Sequence, residues 1–589
     1  MVNSIFETKI IKTDVCVVGG GLSGVAAAVF AARHGAKVTL VQDRAMLGGN
    51  ASSEIRMWVC GAHGDNMCET GIIEELMLNN YYRNPYKNYH IWDTVMLEIV
   101  QNEPNITLLL NCSCLGGKTE NDTIKNIQCW QTTTQKFYEI AADIFIDCSG
   151  DSILAPISNA LFMQGREARS EYNESIAPEK ADKKTMGLSL LIQAREYPYE
   201  REFIAPKWAK KFTKEDLPFR MPDLESDFEN FWYIELGGVM NTIDDTEIIR
   251  DELLKAVYGI WDFIKNDPSQ KEKNKNYDLD FVGILPGKRE SRRYIGDLVM
   301  TENDVLAEGK FHDIIAYGGW TMDDHNPEGL YGKQAPNIFH PAPSPYGIPY
   351  RCLYSKNVKN LMFAGRNISV THAAMSSTRV MATCALLGQA AGTAAAIAKA
   401  KNIMPRGVLE HISELQNTLM TDDCYLPFTQ PFTSDKTKKA TLVSNFENAE
   451  NLRNGIDRKV GDNTNCAVAQ IGGFARYEFE NEEYVDFIKL VFDSDLNRET
   501  LSEREYKLNR GMVNNIRLGF PKSHIPKTLV CDFEIKMVLS SGEIKTVSVT
   551  DNHQRLVKVS VADTVKSIEF VPGKTYGTDT ANIFSFMIF

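Results

Sequence analysis

The sequence predicts an α/β fold built on a parallel sheet, with an α+β segment inserted into it and an all-β sandwich at the C-terminus. Three observations carry this reading. Val15-Cys16-Val17-Val18 runs into a glycine turn and an alanine-rich helix. Two later hydrophobic runs, Ile144-Phe145-Ile146 and Leu361-Met362-Phe363, likewise stop in small-residue turns containing Gly150 and Gly365. After residue 440 the hydrophobic period changes to two, the period of strands with one face buried.

The first element is Gly19-Gly20-Gly21-Leu22-Ser23-Gly24. A buried strand must turn sharply into a helix here. Gly19 permits the turn, Gly21 lets the backbone approach a ligand, and Gly24 lets helix and strand pack closely. The helix from Val25 to Arg33, the turn at His34-Gly35 and the strand Lys37–Val41 complete a Rossmann-like βαβ unit. Such a unit seats a dinucleotide pyrophosphate on the helix N-terminus, where free N–H groups and the positive dipole end favour an anion. The bland alternative is the same turn with no nucleotide. About 18 residues after the third glycine an acid normally holds the ribose hydroxyls. That position is Gln42, followed by Asp43, so an amide or a one-residue shift must take them.

Arg44-Ala45-Met46-Leu47-Gly48-Gly49-Asn50-Ala51-Ser52-Ser53 follows the second strand and resembles the Arg…Gly-Gly segment of FAD-dependent oxidoreductases of the glutathione reductase and succinate dehydrogenase type. Ala142–Asp151 resembles their strand returning to the FAD domain. Asn360–Arg366, with Arg379–Cys384 and the small-residue helix after it, resembles a third such segment. The resemblance implies FAD contacts from Gly19, Gly21, Ser23, Gly24, Gln42, Asp43, Arg44, Gly48, Gly49, Asn50, Ser149, Gly150, Asp151, Gly365, Arg366 and Arg379. Arg289-Glu290-Ser291-Arg292-Arg293, Trp320–His325, Tyr346–Arg351 and Ala364–Ala373 are most similar to large flavoproteins of the FAD-dependent oxidoreductase family related to the flavin subunit of heterodisulfide reductase. The resemblance covers roughly the first 430 residues and implies a cofactor more than a substrate, because one flavin scaffold hosts many chemistries.

At 589 residues the chain exceeds a single core, and 43% hydrophobic with 24% charged residues is ordinary globular content. The net charge of -13 argues against nonspecific nucleic-acid binding, which needs phosphate neutralisation by Lys and Arg. No secretory apolar region and no uninterrupted span of about 18 apolar residues is evident, so a cytoplasmic location without a membrane span is expected, although a chain lacking its leader would read the same. The twelve cysteines contain no CxxC. Iron–sulfur clusters use closely spaced thiolates, so the resemblance to heterodisulfide reductase does not extend to its cluster sequences. Most of the cysteines read as small buried hydrophobes, and no metal site is expected.

The FAD segments place one domain at 1–155 and 350–432, with 156–349 inserted as a substrate or cap domain. A polar, proline-bearing stretch between Asp422 and Lys439 leads to the β-sandwich at 440–589. Asn454–Arg458, Leu490–Leu496 and Asp551–Arg555 look like a discoidin-type, galactose-binding-like jelly roll. All seven Trp lie at or before Trp320, so the sandwich lacks a Trp platform for sugars. A packing or dimerisation module is an equal reading, which leaves a homo-oligomer open.

Oxidising a hydroxyl requires a base for its proton while hydride leaves carbon, and histidine titrates near neutrality. His372, close after Gly365-Arg366, is the first candidate. His325, beside Asp323 and Asp324, is the second, and His63 the third. A helix starting around Ser376–Arg379 would stabilise negative charge on the reduced cofactor. Arg289, Arg292 and Arg293 would bind a carboxylate, a phosphate or the cofactor, or else form a salt-bridge ladder with Glu290 and Asp297; on a strand, alternation sends Arg292 and Arg293 to opposite faces. The expected function is FAD-dependent dehydrogenation of a polar hydroxylated small molecule, sugars or glycosides favoured. Electrons would leave to oxygen, a quinone or a partner protein. The alternatives are an electron-transfer reductase served by an iron–sulfur partner, and a flavin-holding binding or assembly protein without turnover.

Overall fold

The structure, a computed structural model, describes residues 5–225, 229–500, 512, 515–520 and 522–589. It divides into two compact units. The first comprises Met1–Gly61, Asn88–Leu415 and Met512–Phe520, and the second Ala62–Lys87, Gln416–Gly511 and Pro521–Phe589.

In the first unit β1 (Thr8–Val18) leads through the glycine turn into α1 (Leu22–Arg33) and then β2 (Val38–Val41). β1 lies parallel between β2 and the strand Lys136–Asp147, with Val17 opposite Leu40 on one side and Ile146 on the other. Ile106–Leu109 extends the sheet beyond β2, and Leu361–Phe363 pairs with Lys136–Asp147, both in parallel. Cys112–Glu120 and Thr123–Gln131 add antiparallel strands on the other side. Val15 to Val18 are all buried, as a strand covered on both faces must be.

The helix Met381–Lys401 is long and apolar enough to cross a membrane, yet it is a core helix with 89% of its most apolar stretch buried. Its composition follows from how it packs. Gly388 and Gly392, four residues apart on one face, meet α1 so closely that a Cβ would lie 2.0 Å from Ser23 O and 2.2 Å from Ala27 O. The expected helix start around Ser376–Arg379 is corrected by the structure. A short helix, His372–Thr378, ends there with Arg379 as its C-cap, and the long helix begins only at Met381.

Residues 156–349 fall within this first unit. The helix Thr246–Asn266 buries Leu253, Val257, Ile260 and Ile264 against Leu188, Leu190, Phe231 and Tyr277. Short ladders frame it, including Leu188–Ser189 between Glu235–Leu236 and Gly287–Lys288. The strand expected through the arginine cluster is interrupted. Gly287–Lys288 and Arg293–Tyr294 are separate strands with different partners, so the alternation argument does not apply between them.

The second unit holds a seven-stranded sheet that is antiparallel throughout. Two expected strand pieces, 476–480 and 487–492, belong to one strand, Ala475–Phe492. Its pairing with Leu556–Thr575 shifts register between Glu478 and Glu483, under the polar run Glu480-Asn481-Glu482-Glu483 that breaks the alternation in sequence. The excursion 62–87 supplies this unit with the helix Ile72–Arg83, whose buried Glu74 pairs with Arg498 and accepts a 2.7 Å hydrogen bond from Ser494 Oγ.

Candidate functional site

The glycine turn is held by contacts that leave no room for side chains except at one place. Gly19, at φ +101°, has Cys148 backbone atoms 2.5 Å from where a Cβ would stand, and a Cβ on Gly24 would lie 1.7 Å from Gly19 O. A Cβ on Gly21 would meet nothing within 4 Å. Gly21 is the N-cap of α1, no side chain caps that end, and no acidic residue occupies its first turn. This helix end is thus uncapped by side chains, with open space beside Gly21, as an anion site requires.

The following loop is locked onto this turn. Gly48 N donates to Gly20 O at 2.8 Å, and Gly48, at φ +103°, bridges to Gly21. Gln42, at the ribose position by count, is engaged within the protein. Its buried amide accepts from Gly20 N at 2.7 Å and donates to Met46 O at 3.1 Å, tying the two loops together. Asp43 is exposed beside Arg44, 3.6 Å away. Asn50 Nδ2 donates to Lys288 O at 3.0 Å and so brings the segment before Arg289 to the same loop.

Two turns at the ends of neighbouring parallel strands complete the arrangement. Asp147 accepts from Ser149 N and Oγ at 2.9 and 2.7 Å and from Tyr294 Oη at 2.6 Å, which shapes the turn to Gly150. The Arg366 guanidinium lies over Gly150, and Gly365 lies against Ser23, each too close for a Cβ on the glycine. Asp151 receives Arg366 and Lys288, each at 2.8 Å, and Ser291 Oγ at 2.8 Å. Burial alone would raise the Asp151 carboxyl, but Arg366 and Lys288 hold it below the usual carboxylate range.

Beyond this, the structure builds two buried rows of charge, each centred on a histidine between a Glu and an Asp. In the first, His325 Nδ1 lies 2.6 Å from Glu235 and Nε2 lies 3.3 Å from Asp323. Arg289 pairs with Glu235 at 3.2 Å and Arg379 with Asp323 at 3.0 Å, so an arginine closes each end. Trp232 packs edge-on to the His325 ring, and its carbonyl accepts from Arg289. Burial would raise the Glu235 carboxyl, but Arg289 and His325 bring it down to about 2.

In the second row, His372 Nδ1 lies 2.9 Å from Glu290 and Nε2 lies 3.2 Å from Asp324. Arg293, fully buried, lies 3.5 Å from Glu290 and 2.9 Å from Glu167. Burial would lower the His372 pKa, but Glu290 and Asp324 outweigh it and push it up to about 10. The strand Met322–His325 serves both rows through alternation: Asp323 and His325 share one face and Asp324 takes the other.

The rows enclose both histidines that the sequence offers as the base. Each ring nitrogen of both histidines is turned to a carboxylate, and for His372 the two carboxylates favour the protonated ring, which has no lone pair to accept a proton. Arg289 faces Glu235, Ser189 and Trp232 O. Arg292 lies over the Phe162 ring, and Asp297 partners Arg406 and Tyr354 instead of the arginine cluster. His63 lies in the second unit. Sequence reasoning missed Glu235 and Asp324 as members of the rows. Asp324 was visible beside His325; Glu235 lies 90 positions from its histidine and carried no local signal.

The residues present fit a flavin dinucleotide. Besides the open cradle at Gly21, Arg366 Nε, Asn367 Oδ1, Thr378 Oγ1 and Arg379 Nε are buried with no hydrogen-bond partner among the described residues. No group of three or more metal-ligating side chains occurs among the described residues.

A Rossmann-type sheet with this turn defines a dinucleotide-binding protein. The family described as FAD dependent oxidoreductase matches residues 14–419, and the chain belongs to that family. It is an FAD-dependent oxidoreductase, and its cofactor is FAD. No curated protein matches the chain. Among solved structures it is similar to a geranylgeranyl bacteriochlorophyll reductase-like protein from Thermoplasma acidophilum, with 13% identity over 70% of this chain and 86% of that one and a TM-score of 0.32. It is also similar to THI4 from Thermovibrio ammonificans, with 17% identity over 29% of this chain and 76% of that one and a TM-score of 0.21. A family 32 carbohydrate-binding module from Streptococcus pneumoniae EndoD is similar with 13% identity over 26% of this chain and 99% of that module, at a TM-score of 0.20.

Proposed function

We propose that the enzyme dehydrogenates a polar, hydroxylated small molecule, with sugars or glycosides the favoured class. The observation that supports this most is the pair of buried histidine–carboxylate rows beside the turns at Gly150 and Gly365. A charged, water-poor surface on which one carboxylate, Asp324, keeps an open oxygen suits a hydroxyl group, and an apolar chain would leave that oxygen unpaired. FAD, when bound, accepts the hydride; its pyrophosphate would rest on Gly21 and the N-terminus of α1, Asp43 would take the ribose, and Arg366 and Arg379 would supply donors from their unpartnered Nε–H groups.

The chain's own groups bind and orient. Lys288, Arg366 and Asp151 fix the charge at the strand ends, and Asn50 holds the segment before Arg289 against the loop. The antiparallel unit is read as a galactose-binding-like jelly roll that packs or binds ligand, and oxygen, a quinone or a partner protein takes the electrons. Anaerobic mixing of the holoenzyme with sugars, glycosides and hydroxy acids tests the reading. Bleaching of the visible flavin band by one class supports it, and a flavin that none of them reduces overturns it.

A further inference from the structure

The two rows end differently. Glu235 is filled by His325, Arg289 and a 2.6 Å hydrogen bond from Gly187 N. Asp323 is filled by His325, Arg379 and Asn337. Glu290 is filled by His372, Arg293 and Met186 N at 2.9 Å, and its side chain is 0% exposed. Asp324 receives His372 Nε2 on Oδ1 alone. Its Oδ2 has no hydrogen-bond partner among the described residues, and its side chain is 23% exposed. One carboxylate of the four is thus open, at the end of a row otherwise sealed.

We propose that Asp324 is the catalytic base and that His372 is its positioning residue; this rests on the dehydrogenase reading above. A base must offer a lone pair within reach of the substrate. The His372 ring, held protonated between Glu290 and Asp324, has none to offer, and His325 is enclosed between Glu235 and Asp323 with 3% of its side chain exposed, whereas Asp324 keeps Oδ2 without a partner among the described residues and 23% of its side chain exposed. As the substrate O–H bond breaks, its proton passes to Asp324 Oδ2. The C–H hydrogen leaves with its electron pair to FAD, and the carbon–oxygen double bond forms. The exposed edge of Asp324 then returns the proton to water.

His372 holds Oδ1 and so aims Oδ2, while Glu290, itself held by Arg293 and Met186 N, fixes the imidazolium from behind. The charged groups facing Asp324 are His372, Arg166 and His325, and Arg166 is itself paired with Asp182. Burial would raise the Asp324 carboxyl, but His372 and Arg166 hold it below the usual carboxylate range. It therefore stays ionised well below neutrality. A free histidine base would lose its rate as pH falls through about 6.5.

The test uses holoenzyme, stopped-flow anaerobic flavin bleaching with the sugar panel named above, and 15N-histidine NMR of the oxidised protein. Wild-type bleaching is expected to hold level from about pH 8 to about pH 5. Asp324→Asn is expected to slow it about 100-fold or more with FAD content unchanged. His372→Gln, which keeps an N–H donor, is expected to retain most of the rate while its acid limb moves up toward the ordinary carboxylate range. The spectrum should show both His372 nitrogens protonated at pH 7, whatever the substrate. Bleaching at wild-type rate in Asp324→Asn, an inflection near 6.5 in wild type, or an unprotonated His372 nitrogen each overturns the assignment alone. If no sugar bleaches the wild type, the dehydrogenase reading falls and the assignment with it.

Discussion

The glycine turn and the histidine rows are built by opposite means. The turn is made of backbone. Its hydrogen bonds to the next loop join residues near in sequence, as when Gln42 binds Gly20 across 22 positions, its packing against Cys148 is backbone on backbone, and its specificity is the absence of side chains. The rows are made of side chains, and their contacts span 82 positions for Glu290 with His372 and 90 for Glu235 with His325. A backbone cradle tolerates no added atom where it packs. A buried charge row tolerates no lost partner, because the remaining charge is stranded away from water.

Substitutions can break this contrast. The largest effect is expected for Glu290→Gln, which leaves Arg293 and His372 short of an anion at a site with no exposure. A loss of about 3–5 kcal/mol in urea unfolding of the first unit is expected. Gly24→Ala comes next. Its methyl would stand 1.7 Å from Gly19 O, so α1 must move off the turn, at about 1–3 kcal/mol in the same assay and with loss of FAD.

The pH dependence of stability follows from His372. Its pKa is raised from 6.5 to about 10, so its contribution is fully present below 6.5 and is lost as pH rises toward 10. The melting temperature should therefore fall between pH 7 and pH 10, and His372→Gln should flatten that fall. Glu235 behaves oppositely. Its pKa is lowered to about 2 from 4.5, so its contribution is present above 4.5 and is lost as pH falls toward 2.

Gly21→Ala sharpens the comparison most. A Cβ there meets nothing within 4 Å, so apoprotein stability should be unchanged while FAD affinity falls at least tenfold, as read from release of flavin fluorescence. If Gly21→Ala destabilises the apoprotein, the cradle is structural. The smallest effect is expected for Asp43→Asn, about tenfold in FAD affinity, or about 1.4 kcal/mol, measured the same way.

The sheet strands, the turn and the small-residue helix were legible because each depends on neighbours a few positions away. Hydrophobic runs must be buried, and glycines are required where strand and helix meet. The break between Thr378 and Met381 was not legible, since helix-forming residues continue through it. Gln42 stood at the ribose position by count, yet its amide serves the loop; only the fold shows that Gly20 and Met46 reach it first. The transfer of 62–87 to the second unit left no trace in composition.

By itself the sequence determined the βαβ unit with its dinucleotide turn and the change to a period of two near residue 440, because local sterics and burial set these, while its resemblance to FAD-dependent oxidoreductases implied the cofactor. Only the tertiary structure decided that two histidines lie between paired carboxylates and that Asp324 keeps an oxygen open. Protonation in a buried site depends on which charges the fold brings within a few ångströms, and sequence distance does not encode that.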